Sequence, residues 1–352
     1  MFHVDLEFPL SDDEVCKKLA LQIIPKIKCK WEEPIHFQFL TEGITNKILS
    51  CWTRDDKNTR ILFCIFGQGT DLIINRNEMI ANWQLLYKAG CAAELYCTFQ
   101  NGVAYEYVPG VTLEVDTVRD PHISKLIAKE LAKMHAMRID CLPDGEAAPQ
   151  PILFTKLPRF IQNLPEKLKD AKLNARYQKE FPSKAQIEQE YSELVRVIKS
   201  TMPYQYIVFA HNDLLIKNII YNKDKDSIRF IDYEYAGYNC AAFDVGNHFN
   251  EYAGVENIDF SLFPDEEYRK NWVRYYLEEY NSFKGRPLPD EAYVDQFSKV
   301  VNKFAAIGHF FWATWSIIQA DNSLIDFDFL GYGISRIREY FRLKTQYLNE
   351  AL

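Results

Sequence analysis

No two cysteines in this chain stand in a Cys-x-x-Cys spacing, although there are 8, at positions 16, 29, 51, 64, 91, 97, 141 and 240. Structural zinc sites rest on closely spaced thiolates, or thiolates with imidazoles, so this scatter argues against a zinc module. Basic charge is also in short supply: 41 Lys plus Arg face 49 Asp plus Glu, a formal net charge of −8. A dedicated nucleic-acid binder presents a basic face, so no nucleic-acid partner is expected, whereas a small cationic substrate is compatible. The start, Met-Phe-His-Val-Asp-Leu-Glu, lacks the basic-then-apolar order of a secretory signal. Scattered, reduced thiols in a cytoplasmic protein follow as the expectation. Long apolar runs are missing too. The best candidate, residues 304–320, is 17 residues long and carries His309, Thr314, Ser316 and Gln319. A membrane span needs about 20 predominantly apolar residues, so a helix buried in protein is expected rather than stable membrane insertion. The chain shows no internal repeat and no low-complexity tract.

What is present suits a folded protein. The 352 residues are enough for one large domain or two packed lobes. An aromatic share of 14% allows a sizeable core or aromatic-lined pockets. Strand signals cluster early. Residues 37–40 and 46–52 flank a turn-like stretch, 41–45, and residues 60–66 form an apolar, β-branched run closed by Gly67 and Gly69. Residues 95–99 and 102–107 read as a hairpin turning at Gln100-Asn101-Gly102. One helix is expected in this part, over 76–87, from the spacing of Met79, Trp83 and Leu86. Pro109-Gly110 then punctuates the chain, dividing an N-terminal lobe, 1–108, from a C-terminal lobe, 109–352. Helical patterns dominate the second lobe. Residues 121–137 place Ile123, Leu126, Ile127, Leu131 and Met134 on one stripe, and 166–190 reads as a solvated helix pair.

The chemistry concentrates between residues 209 and 251. In His211-Asn212-Asp213-Leu214-Leu215-Ile216-Lys217-Asn218, an Asp precedes an Asn by five positions, on a loop before the apolar Ile219-Ile220-Tyr221. That is the catalytic-loop arrangement of phosphotransferases. The carboxylate of Asp213 can accept the proton of an attacking hydroxyl, and the amide oxygen of Asn218 can ligate Mg²⁺. A second apolar strand, 228–231, ends in Asp232, which would face the same ion. Mg²⁺ takes oxygen ligands, commonly one or two carboxylates plus phosphate, so Asp232 is the natural carboxylate ligand. Phosphoryl transfer depends mainly on positioning and charge neutralisation, which one base and nearby hard-oxygen ligands serve. A lone Asp-x₄-Asn is no more than a capped turn; the pair of segments after a β-rich lobe is far more specific.

HNDLLIKN, FIDYEYAGYN, AFDVGNHFNEYAGV and the late GHFFWATWSIIQADNSLIDFDFLGY together resemble the choline/ethanolamine kinases. The early LTEGITNKI resembles the nucleotide loop of the family's ethanolamine branch, where choline kinases tend to carry Gly-Gly-x-Ser-Asn. The resemblance runs from Leu40 to Tyr332 in the family's order. It implies an α+β, bilobal protein-kinase-like fold with a small β-rich N-lobe and a larger helical C-lobe. It implies ATP and Mg²⁺ as cofactors and ethanolamine as the small-molecule substrate. The product, phosphoethanolamine, would enter the CDP-ethanolamine route to phosphatidylethanolamine, and a homodimer is compatible with the family. Asp213 would be the catalytic base, with Asn218 and Asp232 as the metal ligands. Gly43, Thr45, Asn46 and Lys47 would cover the ATP phosphates. Glu78 would organise the phosphate-binding cation, and Glu106 and Val108 would present the hinge to adenine.

By the same resemblance, Tyr235, Glu251, Trp312 and Trp315 would form the amine pocket. A quaternary ammonium is best met by aromatic faces. A primary ammonium brings N–H donors, so its pocket should also offer oxygen acceptors, and Glu251 suits that need. Choline kinases carry a further pocket tyrosine near the position of Glu256, which again favours the smaller amine. Asp244 would brace the catalytic loop rather than react. One departure stands out: Cys64 occupies the place of a phosphate-contacting arginine, and a neutral thiol cannot grip phosphate as a guanidinium does. Lys47 is the alternative cation. The rival readings are a choline kinase, a weakened kinase acting as a binding protein, and an aminoglycoside-type phosphotransferase. The last leaves the FFWATW segment unexplained.

Overall fold

The computed structural model describes residues 1–28, 31, 34–40, 46–53, 59–67, 74–137, 149–323 and 325–351. The chain divides into two compact units, Met1–Val111 with Ser323–Ile325 and Thr112–Asn322 with Asp326–Leu352.

The first unit is built on a six-stranded sheet of β1 (Phe2–Val4), β2 (Ile35–Leu40), β3 (Asn46–Thr53), β4 (Ile61–Phe66), β5 (Leu95–Phe99) and β6 (Gly102–Glu106). Its order is β1-β5-β6-β4-β3-β2. Only the β1–β5 pair is parallel. Strand β4 lies between β6 and β3 with both faces covered, which is why its sequence is an unbroken apolar run rather than an alternation. Directly paired residues share a face, and neighbours along a strand alternate. Ile61, Phe63 and Ile65 therefore face one side, where they pack with Cys16, Ala20, Ile23 and Ile24 of α1 (Asp13–Ile27). Leu62, Cys64 and Phe66 face the other side, toward α2 (Arg76–Lys88). There Trp83 meets Tyr105 edge-on at 4.8 Å, and the Arg76 guanidinium lies 3.8 Å from the Phe66 ring centroid.

One helix was expected in this region, and its described residues form two. Helix α1 does follow helical spacing, but two of its four buried positions are Cys and Ala, and Pro25 reads as a breaker. Pro25 falls in the last turn, with only two residues of the helix left to run. The strand β1 is three residues long and takes its partner from β5, far along the chain, which no local pattern announces.

The short strand β7 (Val111–Thr112) spans the boundary between the units, and the second unit continues with α3 (Val115–Val118), α4 (Pro121–His135), α5 (Ile152–Gln162), α6 (Ala171–Glu180) and α7 (Lys184–Thr201). Then come β8 (Ile207–Ala210), β9 (Ile219–Asn222), β10 (Ser227–Phe230), β11 (Gly237–Cys240), α8 (Ala241–Asn250), α9 (Glu266–Phe283), α10 (Glu291–Asn322) and α11 (Phe329–Leu343). Two antiparallel pairs nest inside one another: β8 pairs with β11, and β9 pairs with β10 between them. The segment from α6 to α7 is the solvated helix pair its charge pattern suggested. The apolar stretch 304–320 lies within α10 and is largely buried in this unit. No described helix is long and apolar enough to cross a membrane.

Candidate active site

The nested strand pairs determine which loops meet. Ala210 is opposite Gly237 and Ile219 is opposite Phe230, so loops 211–218 and 231–236 leave their strands side by side. Ile231 N–H donates to the Asn218 carbonyl at 3.0 Å, and His211 Nε2 bonds the Ile231 carbonyl at 3.0 Å. Asn212 and Asp232 both take left-handed backbone conformations, with φ of 67° and 65°. A non-glycine residue holds such a conformation only where its surroundings compensate. At Asn212 the compensation is visible. Its Nδ2 donates to the carbonyls of Tyr235 and Gly237, at 2.9 and 3.2 Å, and its Oδ1 accepts from Asn239.

Helix α8 clamps this loop from one face. Asp244, Asn247 and His248 are spaced i, i+3, i+4, so their side chains emerge together. Asp244 accepts from the backbone N–H groups of His211 and Asn212, both at 2.6 Å, and from His135 Nε2 at 3.0 Å. These bonds and the nearby His135 and His211 rings hold the Asp244 carboxyl below its ordinary range despite burial. Asn247 bonds the Asn212 carbonyl, and His248 Nδ1 bonds the Leu214 carbonyl at 3.2 Å. The expectation that Asp244 braces the loop describes what these bonds do.

Asp213 is thus carried on an over-determined loop while its side chain keeps some exposure. Burial pushes its carboxyl well above the ordinary range, helped by the negative charges of Asp232, Glu251 and Glu234 and opposed by Arg336. Asn218 donates from Nδ2 to the Asp213 carbonyl at 2.9 Å, which fixes the amide and leaves its oxygen as the acceptor end. An amide oxygen and the Asp232 carboxylate form a hard-oxygen donor set, and the mutual repulsion of Asp213 and Asp232 is what a divalent cation would relieve. The residues fit Mg²⁺. Among the described residues no group of three or more His, Cys, Asp and Glu side chains is arranged to hold a metal, and Mg²⁺ does not require one.

Three of the four expected amine-pocket residues form one cluster. Tyr235 and Trp312 meet at 5.1 Å and 78°, and Trp312 and Trp315 at 5.4 Å and 81°. Trp315 Nε1 donates to Tyr235 Oη, and Trp312 Nε1 donates to Asn247 Oδ1 at 2.9 Å. This last bond is possible because α8 and α10 cross closely: a Cβ on Gly246 would lie 2.6 Å from Ala305 N. Glu251, the fourth residue, follows α8 directly and is buried. Its Oε1 is taken by Arg336 Nη2 at 2.8 Å, a partner the sequence did not suggest. The available signal was an arginine on the buried stripe of α11, where Glu339 is the other charged residue. Glu256 is exposed.

In the first unit, Gly43 and Thr45 lie outside the described residues. Asn46 opens β3, and its Oδ1 accepts from Gly67 N–H at 3.4 Å. Lys47 differs from expectation. Its Nζ bonds the Leu10 carbonyl and Asp13 Oδ1, each at 2.7 Å, and lies 4.6 Å from the Phe39 ring centroid. The cause is strand alternation: Lys47 pairs with Ile65 and shares its α1 face, whereas Cys64 pairs with Ile48 and faces the opposite side. Lys47 and Cys64 therefore lie on opposite faces of the sheet. Glu78 is exposed in the first turn of α2, where its N–H donates to the capping Asn75 Oδ1. Glu106 ends β6 with its N–H on the Glu94 carbonyl, and Val108 follows where the chain leaves the sheet.

A family model described as choline/ethanolamine kinase matches residues 37–341. The chain is 38% identical over 345 residues to ethanolamine kinase 1 of Mus musculus, covering 97% of this chain and 93% of that protein. It is 41% identical over 328 residues to ethanolamine kinase 2 of Rattus norvegicus, covering 93% and 81% respectively. Among solved structures, an ethanolamine kinase of Plasmodium vivax aligns with a TM-score of 0.73 at 27% identity, over 94% of this chain and 89% of that one. With a matching family model over most of its length and a shared protein-kinase-like fold, the chain belongs to the choline/ethanolamine kinase family.

Proposed function

We propose that this protein phosphorylates ethanolamine with ATP, giving phosphoethanolamine and ADP. The hydroxyl oxygen attacks the γ-phosphorus as the bond to the β,γ-bridging oxygen breaks. Asp213 accepts the hydroxyl proton, and a carboxylate made more basic by burial and neighbouring charge suits that task. Asn218 and Asp232 would hold Mg²⁺, whose positive charge would offset that of the phosphates. Asn46, Glu78, Glu106 and Val108, with Gly43 and Thr45, serve the nucleotide from the first unit. Among the described residues the cysteine side chains are buried, and a reducing, cytoplasmic setting suits such thiols.

One observation carries the choice of acceptor. Glu251, which the family resemblance assigns to the amine pocket with the clustered rings of Tyr235, Trp312 and Trp315, has one carboxylate oxygen buried and without a hydrogen-bond partner. Aromatic faces alone would serve a quaternary amine equally well, and they are what favours choline as the second reading. An acceptor oxygen gains only from an amine that has N–H to give. The test is phosphorus NMR of the protein incubated with Mg-ATP and ethanolamine. A phosphomonoester resonance growing in step with ADP supports the reading. ADP formed without that resonance, or no turnover, removes it and leaves a binding role for the fold.

A further inference from the structure

Helix α11 carries a charge where an amphipathic helix should carry none. Tyr332, Arg336 and Tyr340 follow one another at four-residue steps on its buried stripe. Arg336 is 0% exposed and bonds Glu251, itself 2% exposed. The guanidinium also lies 4.8 Å from the Tyr332 ring centroid, and its Nη1 is 3.3 Å from His309 Nδ1. Burial, and then the charge of Arg336, hold the His309 ring well below its ordinary range, so it is neutral and can accept from Arg336.

This arrangement stabilises the fold poorly. Arg336 Nε and Glu251 Oε2 are both buried with no hydrogen-bond partner. Apolar side chains of similar volume usually pack at least as well as a buried ion pair, and unmet polar atoms keep their full desolvation cost. The unmet carboxylate oxygen has a reason to exist if a ligand completes it. The pair is also close enough to the loop base for both of its charges to act on Asp213, and the charges of Glu251 and Asp213 both act on Tyr332.

We propose that Arg336 is a positioning residue for the acceptor: by binding Glu251 Oε1 it fixes the carboxylate, ionised, so that Oε2 accepts an N–H of the primary ammonium. The inference rests on the amino-alcohol reading above. It gives Arg336 no contact with substrate; its effect passes entirely through Glu251.

A double-mutant cycle measures that dependence. Ethanolamine and ATP kinetics are compared for the unaltered protein, Glu251→Gln, Arg336→Met and the double variant. Each single change should raise the ethanolamine KM by about 30-fold, the scale of one charge-assisted hydrogen bond. ATP KM should stay within about twofold, and the double variant should be within about threefold of the worse single, because both changes remove one contact. Arg336→Lys, which keeps the charge without the fork, should restore part of the loss. If Arg336→Met does not fold, Arg336→Lys with and without Glu251→Gln supplies the same cycle. Multiplying effects in the double variant, or ATP KM rising in step with ethanolamine KM, overturn the inference. An unaltered protein that turns over no amino alcohol overturns the functional reading instead, before any variant is made.

Discussion

Two ion pairs of nearly equal length separate the two units. In the sheet unit, Lys47 and Asp13 meet at 2.7 Å with 21% and 58% of their side chains exposed; in the helical unit, Arg336 and Glu251 meet at 2.8 Å with 0% and 1% exposed. Distance is the same and consequence is not. An exposed pair is screened by water and contributes at most about 1 kcal/mol. A buried pair has no water to fall back on, so any group it leaves unmet, or any charge it sets beside another, changes chemistry. The helical unit repeats that lesson: Asp244, His248 and Glu251 sit in dry surroundings that shift their protonation, and burial shifts the partly exposed Asp213 as well. The sheet unit keeps Lys47, Glu78 and Glu106 near its rim.

The contrast can be broken first at Asp213. Asp213→Asn keeps the loop's backbone bonds but removes the proton acceptor, and kcat should fall by a factor of about 10²–10⁴. Turnover near that of the unaltered protein would show that this carboxylate is not the base.

A smaller effect should come from His248. Burial lowers its pKa from 6.5 to about 4, so the folded protein refuses a proton that the unfolded chain takes. Stability from this group is complete above pH 6.5 and is lost as pH falls toward 4. Carboxyls with raised folded-state pKa values, such as Glu251, act in the opposite sense, so the comparison is made against His248→Gln. Relative to that variant, the unaltered protein should lose about 2 kcal/mol between pH 7 and pH 5. Parallel pH profiles of the urea midpoints would mean that His248 titrates normally.

The smallest effect belongs to the sheet unit. Lys47→Ala should cost less than about 1 kcal/mol in urea unfolding. It should leave ATP KM within about twofold, the range expected of a change away from the site. A tenfold rise in ATP KM would return Lys47 to the phosphates and erase the contrast.

The same contrast marks what could be read from sequence. Strands β2 to β6, the Asp213–Asn218 loop and the paired tryptophans declare themselves through local spacing. Asp244 was recognised as a brace because the resemblance placed it there. Local spacing says nothing of partners brought from far along the chain. Glu251 and Arg336 are 85 positions apart, and Lys47 takes its partners from 34 and 37 positions upstream. Lys47 therefore read as a free cation and Glu251 as an uncommitted carboxylate. Helix α1 was hidden for another reason: small buried residues carry the stripe that large ones usually reveal.

The most direct measurement is kcat/KM for ethanolamine and for choline, side by side with purified protein at saturating Mg-ATP. If the buried, partnerless oxygen of Glu251 receives the acceptor, the protein should favour the amine with N–H donors by about tenfold or more, the scale of one such hydrogen bond. Equal or better use of choline would contradict this, and would mean that the rings alone select the substrate.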